Sequence, residues 1–184
     1  MNAGIISSRY AKALLKFVQE TGNGAVVYAQ VGVLLMRMKD IAQLADYVEN
    51  HDEIPVEKKL HLLDAALGEE MSVELRHFVA LVHGRRRMQF FVRMLYSFVG
   101  QYRDMYNIKV GTLVTALPVD GLQEKMETLL RNSTGSDVHI EMSVNPEIIG
   151  GFVFRMDDLR LDASVASQFR KIRRQLIDKN NRIV

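Results

Sequence analysis

The hydrophobic period of this chain changes once, near Asn107, and no other feature constrains the fold as much. Before that point apolar residues recur every three to four positions, the spacing of one face of a helix. Beyond it they first alternate, the spacing of a strand. The expectation is a mainly α chain: a six-helix bundle over residues 1–106, then a small α/β domain over residues 107–184.

The first helical stripe carries Ile6, Tyr10, Ala13, Leu14, Phe17 and Val18, with Ser7 or Ser8 as its cap and Gly22 as its stop. Ile5 and Leu15 fall off that stripe. A helix buried only in its own bundle needs one stripe, so the wider arc predicts contacts on a second side. A second stripe runs through Val27, Val31, Leu34, Leu35 and Met38. Asp40 is placed to cap a third helix carrying Ile41, Leu44, Ala45 and Val48. Pro55 suits the first turn of a fourth, since its missing donor would be unpaired there anyway, and Gly68 ends it. The fifth starts near Ser72, carries Leu75, Phe78, Val79 and Val82, and closes at Gly84. The sixth carries Phe91, Val92, Leu95, Phe98, Val99 and Tyr102. Short loops between six such helices predict a bundle.

After Asn107, Ile108, Val110, Thr112, Val114 and Ala116 alternate with Lys109, Gly111 and Thr115. Pro118 and Asp120 open a helix with Leu122, Met126, Leu129 and Leu130. Val138, Ile140, Met142 and Val144 form a second strand, Phe152 to Met156 a third, and Leu159 to Leu161 a short fourth. Asp162 or Ser164 caps a last helix with Val165, Phe169, Ile172 and Leu176 on one side and Arg170, Lys171, Arg173 and Arg174 on the other.

Chemistry is scarce. The absence of cysteine excludes disulfides, thiolate nucleophiles and Cys-ligated metals. His77 and His83 share a helix, but a spacing of six puts them on different faces, unlike the three or four that a shared metal favours. No HExxH, GxSxG or GxxxxGK[ST] motif occurs. Gly150-Gly151 is followed by a strand and no Lys-Ser/Thr, so it is not a phosphate loop. Asp157, Asp158 and Asp162 lack the pattern of a calcium loop and suit a turn and a helix cap. No catalytic residue, cofactor or metal is therefore expected. No window approaches the roughly 18 apolar residues of a membrane span. The opening Met1-Asn2-Ala3-Gly4 has neither a secretory nor an Arg-rich leader pattern. A net charge of +2 does not by itself call for nucleic acid. The competing function is a nucleic-acid-binding regulator using Arg85-Arg86-Arg87 and the basic last helix.

Two stretches carry a resemblance. Near the start stands Arg9-Tyr10-Ala11-Lys12-Ala13-Leu14-Leu15. Near the end come Asn145-Pro146-Glu147-Ile148-Ile149-Gly150-Gly151-Phe152, Leu161-Asp162-Ala163-Ser164-Val165 and Arg173-Arg174-Gln175-Leu176. In order and spacing these resemble the delta subunit family of the bacterial rotary ATP synthase, counterpart of the mitochondrial oligomycin-sensitivity-conferring protein. Phe152-Val153-Phe154 departs from the smaller β-branched residues of that signature. The resemblance implies a non-catalytic stator subunit at the cytoplasmic face of the bacterial inner membrane, peripheral to it. Its helical domain would grip the N-terminal helix of an alpha subunit, and its C-terminal domain would hold the peripheral-stalk b subunits. The implied groove lies between the first and fifth helices. Tyr10, Ala13, Leu14 and Phe17 are its candidates on one wall, and Leu75, Phe78, Val79 and Val82 on the other.

Overall fold

The computed structural model describes residues 3–51 and 53–180, without the side chains of residues 176 and 178–180. The protein is mainly α with a small α/β C-terminal part. Its contacts divide into two units, Met1–Tyr106 and Asn107–Val184.

The first unit comprises α1 (Ala3–Thr21), α2 (Gly24–Asp40), α3 (Ala42–Asn50), α4 (Val56–Leu67), α5 (Val73–Gly84) and α6 (Phe91–Tyr106). Its core is built from the apolar stripes, including Leu14, Val31, Leu34, Leu63, Leu75, Val79, Phe91 and Phe98. Each such side chain contributes about 1.5–3 kcal/mol when fully buried. Helix α1 packs on α6, α2 and α5.

Several helix boundaries differ from the sequence expectation, each for a local reason. Helix α1 begins at Ala3, so Ser7 is internal; its hydroxyl donates to the Ala3 carbonyl 3.0 Å away and caps nothing. Asp40 ends α2, and α3 starts after Ile41 without a side-chain cap. Helix α5 does use Ser72, whose hydroxyl accepts from the Leu75 amide. Its C-terminal reversal falls beyond Gly84, on Arg86 at φ +52°. There the Arg87 amide donates to the Val82 carbonyl and the Arg86 amide to His83, the paired bonds of a Schellman motif. A glycine usually takes that left-handed position, and here an arginine does.

Three sets of part-buried polar contacts fix where α5 starts. Gln30 donates to Glu69 and to the Glu70 carbonyl and accepts from the Ser72 amide at 2.9 Å. Asp64 accepts from the Met71 amide and from Arg76 at 3.1 Å. Asn23 donates to Glu74 at 2.7 Å. Helices α2 and α4 thus hold the first turn of α5 in place against α1.

The second unit comprises β1 (Ile108–Thr115), α7 (Leu122–Thr134), β2 (Asp137–Val144), β3 (Phe152–Met156), β4 (Leu159–Asp162) and α8 (Val165–Asn180). The sheet order is β2-β1-β3-β4. Strands β1 and β2 are parallel and joined through α7, as parallel neighbours require. The other pairs are antiparallel. One face packs Leu113, Val138, Ile140, Phe154 and Met156 against Leu122, Met126 and Leu130.

The phase of β1 differs from what its most evident alternation suggests. Gly111, Leu113 and Thr115 point inward, while Thr112 is exposed and Val110 and Val114 are half-buried. Gly111 is inward because the Phe154 ring lies over it: a Cβ there would come within 2.9 Å of that ring. Leu129 of α7 is likewise exposed.

Between β2 and β3, the Asn145 side chain accepts from the Glu147 amide and Pro146 opens a 3₁₀ turn. Gly151 has φ +74°, and a Cβ there would run into the Ala163 carbonyl. The Val165 amide donates to the Gly150 carbonyl at 3.0 Å, so this turn is fastened to the start of α8. On α8 itself Phe169 and Ile172 are exposed, as are Arg170, Lys171, Arg173 and Arg174. Leu176 lies outside the residues whose side chains are described.

Candidate functional site: a groove between α1 and α5

The wide apolar arc of α1 is divided between two surfaces. Ile6, Ala11, Leu14, Leu15 and Val18 are buried in the bundle. Ile5, Tyr10, Ala13 and Phe17 turn toward α5. Between the two helices lie adjoining cavities of about 450 and 290 Å³. The larger is lined by Ile5, Ile6, Arg9, Tyr10, Ala13, Leu81, Arg85 and Arg87. The smaller is lined by Ala13, Leu14, Phe17, His77, Phe78 and Leu81. Ala13 and Leu81 belong to both, so the two form one continuous groove.

Of the eight residues expected from the sequence, the structure brings five to this groove. Tyr10 and Phe17 are half-buried, Ala13 is exposed, and Leu14 and Phe78 form the floor while being almost wholly buried. The other three, Leu75, Val79 and Val82, line neither cavity and are completely buried in the bundle. The reason is helical phase. The 75/79/82 stripe of α5 faces inward, and the groove wall comes from the offset set His77, Leu81 and Arg85.

Seven lining residues lie outside the expected set: Ile5, Ile6, Arg9, His77 and Leu81, with Arg85 and Arg87 beyond the end of α5. Two had a legible signal. Ile5 is off the core stripe of α1 and is 60% exposed; Leu81 is off the core stripe of α5 and 48% exposed. Brought together in one groove they form a contiguous apolar patch, which scattered single residues would not.

The groove is electrostatically polarised. One end is walled by Phe17 and His77, whose rings lie 6.3 Å apart across the gap. The other end gathers Arg9, Arg85 and Arg87, and no carboxylate lines either cavity among the described residues. None of the three arginines has an ion pair among the described residues. Chemically this is a trough for a ligand that is apolar along one side and anionic at one end.

Residues 6–176 match the family described as ATP synthase delta (OSCP) subunit. The chain belongs to this family. Among similar delta-family proteins, the ATP synthase subunit delta of Phocaeicola vulgatus is 39% identical over 186 residues, covering 100% of both chains. That of Bacteroides thetaiotaomicron is 35% identical over 190 residues, again covering both chains fully. The delta subunit of Desulfitobacterium hafniense is 30% identical over 178 residues, 96% of this chain and 98% of the other. A chain of the Toxoplasma gondii mitochondrial ATP synthase hexamer has the same fold, with a TM-score of 0.64, covering 93% of this chain and 97% of that one at 22% identity. Among the described residues of this delta-family chain, no cluster of three or more His, Asp or Glu could hold a metal ion. No helix among the described residues is long and apolar enough to cross a membrane.

Proposed function

We propose that this chain is a non-catalytic stator subunit of the rotary ATP synthase, at the cytoplasmic face of the bacterial inner membrane. In this reading the groove between α1 and α5 receives the N-terminal helix of an alpha subunit on the catalytic hexamer. Residues 107–184 hold the b subunits of the peripheral stalk, with the exposed Phe169 and Ile172 and the basic face of α8 as the natural contact. Holding both ends stops the hexamer from turning with the rotor.

The observation that carries the reading is the groove itself. It is open, continuous and apolar along most of its length, the shape that accepts an amphipathic helix through anchors at helical spacing. A stator must not release its partner within a turnover, and persistence is mostly a slow off-rate. Burying Ile5, Phe17 and Leu81 serves that better than exposed ion pairs, worth about 0–1 kcal/mol each. The cluster of Arg9, Arg85 and Arg87 adds polarity: the partner helix carries its carboxylates at that end. Arg85 and Arg87 thereby have a role in the groove, which favours the stator reading over a nucleic-acid regulator built on the same arginines.

The test is calorimetric titration of the full chain with a peptide of the first ~20 residues of the cognate alpha subunit, a length that spans the groove as one helix. Binding is expected, weakening a few-fold as salt rises but not vanishing. No heat at high micromolar peptide sinks the proposal, and steep salt-dependent retention on DNA or RNA would revive the alternative.

A further inference from the structure

A cavity on the sheet face opposite α7 gathers two arginines from the sheet and a third from α8, with one carboxylate among them. Arg155 on β3 and Arg160 on β4 are direct cross-strand partners. Antiparallel pairing puts both side chains on one face with Cβ atoms about 4.5–5.5 Å apart, where like charges destabilise the pair. Arg170, in the second turn of α8, lines the same cavity of about 360 Å³, with Thr112 and Asn145 among its other walls.

Asp162 is the one carboxylate lining that cavity among the described residues. Its oxygens are already engaged. One accepts from the Ser164 amide at 3.1 Å and the Ser164 hydroxyl at 2.6 Å, and the other from the Ser167 hydroxyl at 2.7 Å. Arg160 pairs loosely with Asp162 at 3.8 Å, and Arg170 donates to the Ser167 hydroxyl at 2.8 Å. Arg155 has no ion pair or side-chain hydrogen bond among the described residues. Glu141 lies in the same row, because it pairs with Thr112 and Thr112 pairs with Arg155. Two strand spacings separate it from Arg155, about 9–10 Å. The fold therefore brings together three guanidinium groups, whose planar forks fit carboxylate or phosphate oxygens, around one carboxylate shared among Ser164, Ser167 and Arg160, which leaves Arg155 without a counter-charge.

We propose that this cavity is an oxyanion site whose occupant is a carboxylate carried by the protein segment that docks on residues 107–184. The docking part of the statement rests on the stalk reading above. A protein segment fits better than a free ion because Val114, Ile148 and Val153 line the same cavity as the arginines. Those side chains offer apolar anchorage beside the charge.

The test uses the full chain, observing arginine Nε–H signals by NMR. Inorganic phosphate is titrated first, then the soluble segment of the cognate b subunit, with Arg155→Gln, Arg155→Lys and Arg160→Gln as variants. Signals of Arg155 and Arg160 are expected to shift at millimolar phosphate and to lose that response in Arg155→Gln. Binding of the b segment should weaken about tenfold in Arg155→Gln, the loss of one charge-assisted contact. It should recover in part in Arg155→Lys, and phosphate should compete. Arg155→Gln also removes a like-charge pair, so it should keep or raise the thermal midpoint, separating lost binding from lost folding. If phosphate moves no arginine signal and Arg155→Gln leaves b binding within twofold, the site is overturned. If phosphate binds but b binding is unaffected by the variants, the site serves a free anion and the carboxylate assignment is overturned. If wild type does not bind the b segment at all while phosphate still shifts Arg155, the stalk reading fails and the oxyanion site stands.

Discussion

Replacing Leu81 with Asp is expected to remove most of the groove's affinity for a helix while leaving the bundle folded. Leu81 is shared by both halves of the groove and is 48% exposed, so about half of its surface is left for a partner to cover. Full burial of a leucine is worth about 1.5–3 kcal/mol, so the half left to bury gives about 1 kcal/mol. A carboxylate in its place must then be partly desolvated against an apolar helix, at no less than the about 1–3 kcal/mol of a neutral polar group. Arg85, one turn further along, offsets at most about 0.5 kcal/mol of that. The net loss of at least about 1.5–3.5 kcal/mol corresponds to a rise in Kd of at least about 10- to 400-fold. Leu81→Ala loses only the apolar part, about 1 kcal/mol or roughly fivefold. Calorimetry with the alpha-subunit peptide reads the affinities, and far-UV circular dichroism with a thermal scan verifies that each variant is folded. Folded Leu81→Asp protein binding within twofold of wild type would refute the placement of the partner in this groove. Phe78→Asp cannot serve the same purpose: Phe78 is 4% exposed, and an unpaired charge there unfolds the bundle.

Three further substitutions probe the frame that holds the two surfaces. Arg86→Gly relieves a left-handed residue costing about 1–2 kcal/mol but adds unfolded-state freedom worth about 0.4–1 kcal/mol. Chemical denaturation should show a gain of roughly 0.5–1 kcal/mol in the first unit. Gly151→Ala combines φ +74° with a collision against the Ala163 carbonyl, so it should destabilise the second unit by about 1–3 kcal/mol or more. Unchanged stability would mean that the turn is not built as described. Asp162 is held down to about 2 from its usual 3.8, first by the Ser164 side chain and then by Ser167. The folded carboxyl is the stronger acid, so its contribution is fully present above about 3.8 and is lost as pH falls through about 2. Asp162→Asn should flatten the acid limb of the stability curve in that window and leave its slope at neutral pH unchanged.

Much of the architecture is legible in the sequence because it depends on local periodicity. Six apolar stripes at helical spacing mark α1 to α6, and the alternation of Val138, Ile140 and Met142 marks β2. Ser72 and Gly68 act within a turn of where they stand, so the start of α5 and the end of α4 follow from residue type alone. The surplus apolar arc of α1 also announces a second surface. Even the family is readable, since the Asn145 to Phe152 turn, the Asp162-Ala163-Ser164 cap and the opening helix keep their order and spacing.

What the tertiary structure decided is the direction each stripe faces. Periodicity places Leu75, Val79 and Val82 on one side of α5, but only packing against α1 and α4 shows that this side is core and that Leu81 and Arg85 face the groove. The inward phase of β1 likewise follows from the Phe154 ring lying over Gly111, a contact between residues 43 positions apart in the numbering. Nor does the spacing of Arg9 and Arg85, or of Arg155 and Arg170, reveal that each pair lines one cavity. Charge placed across a gap depends on how helices and strands are set side by side, and no local rule of a linear sequence encodes that distance.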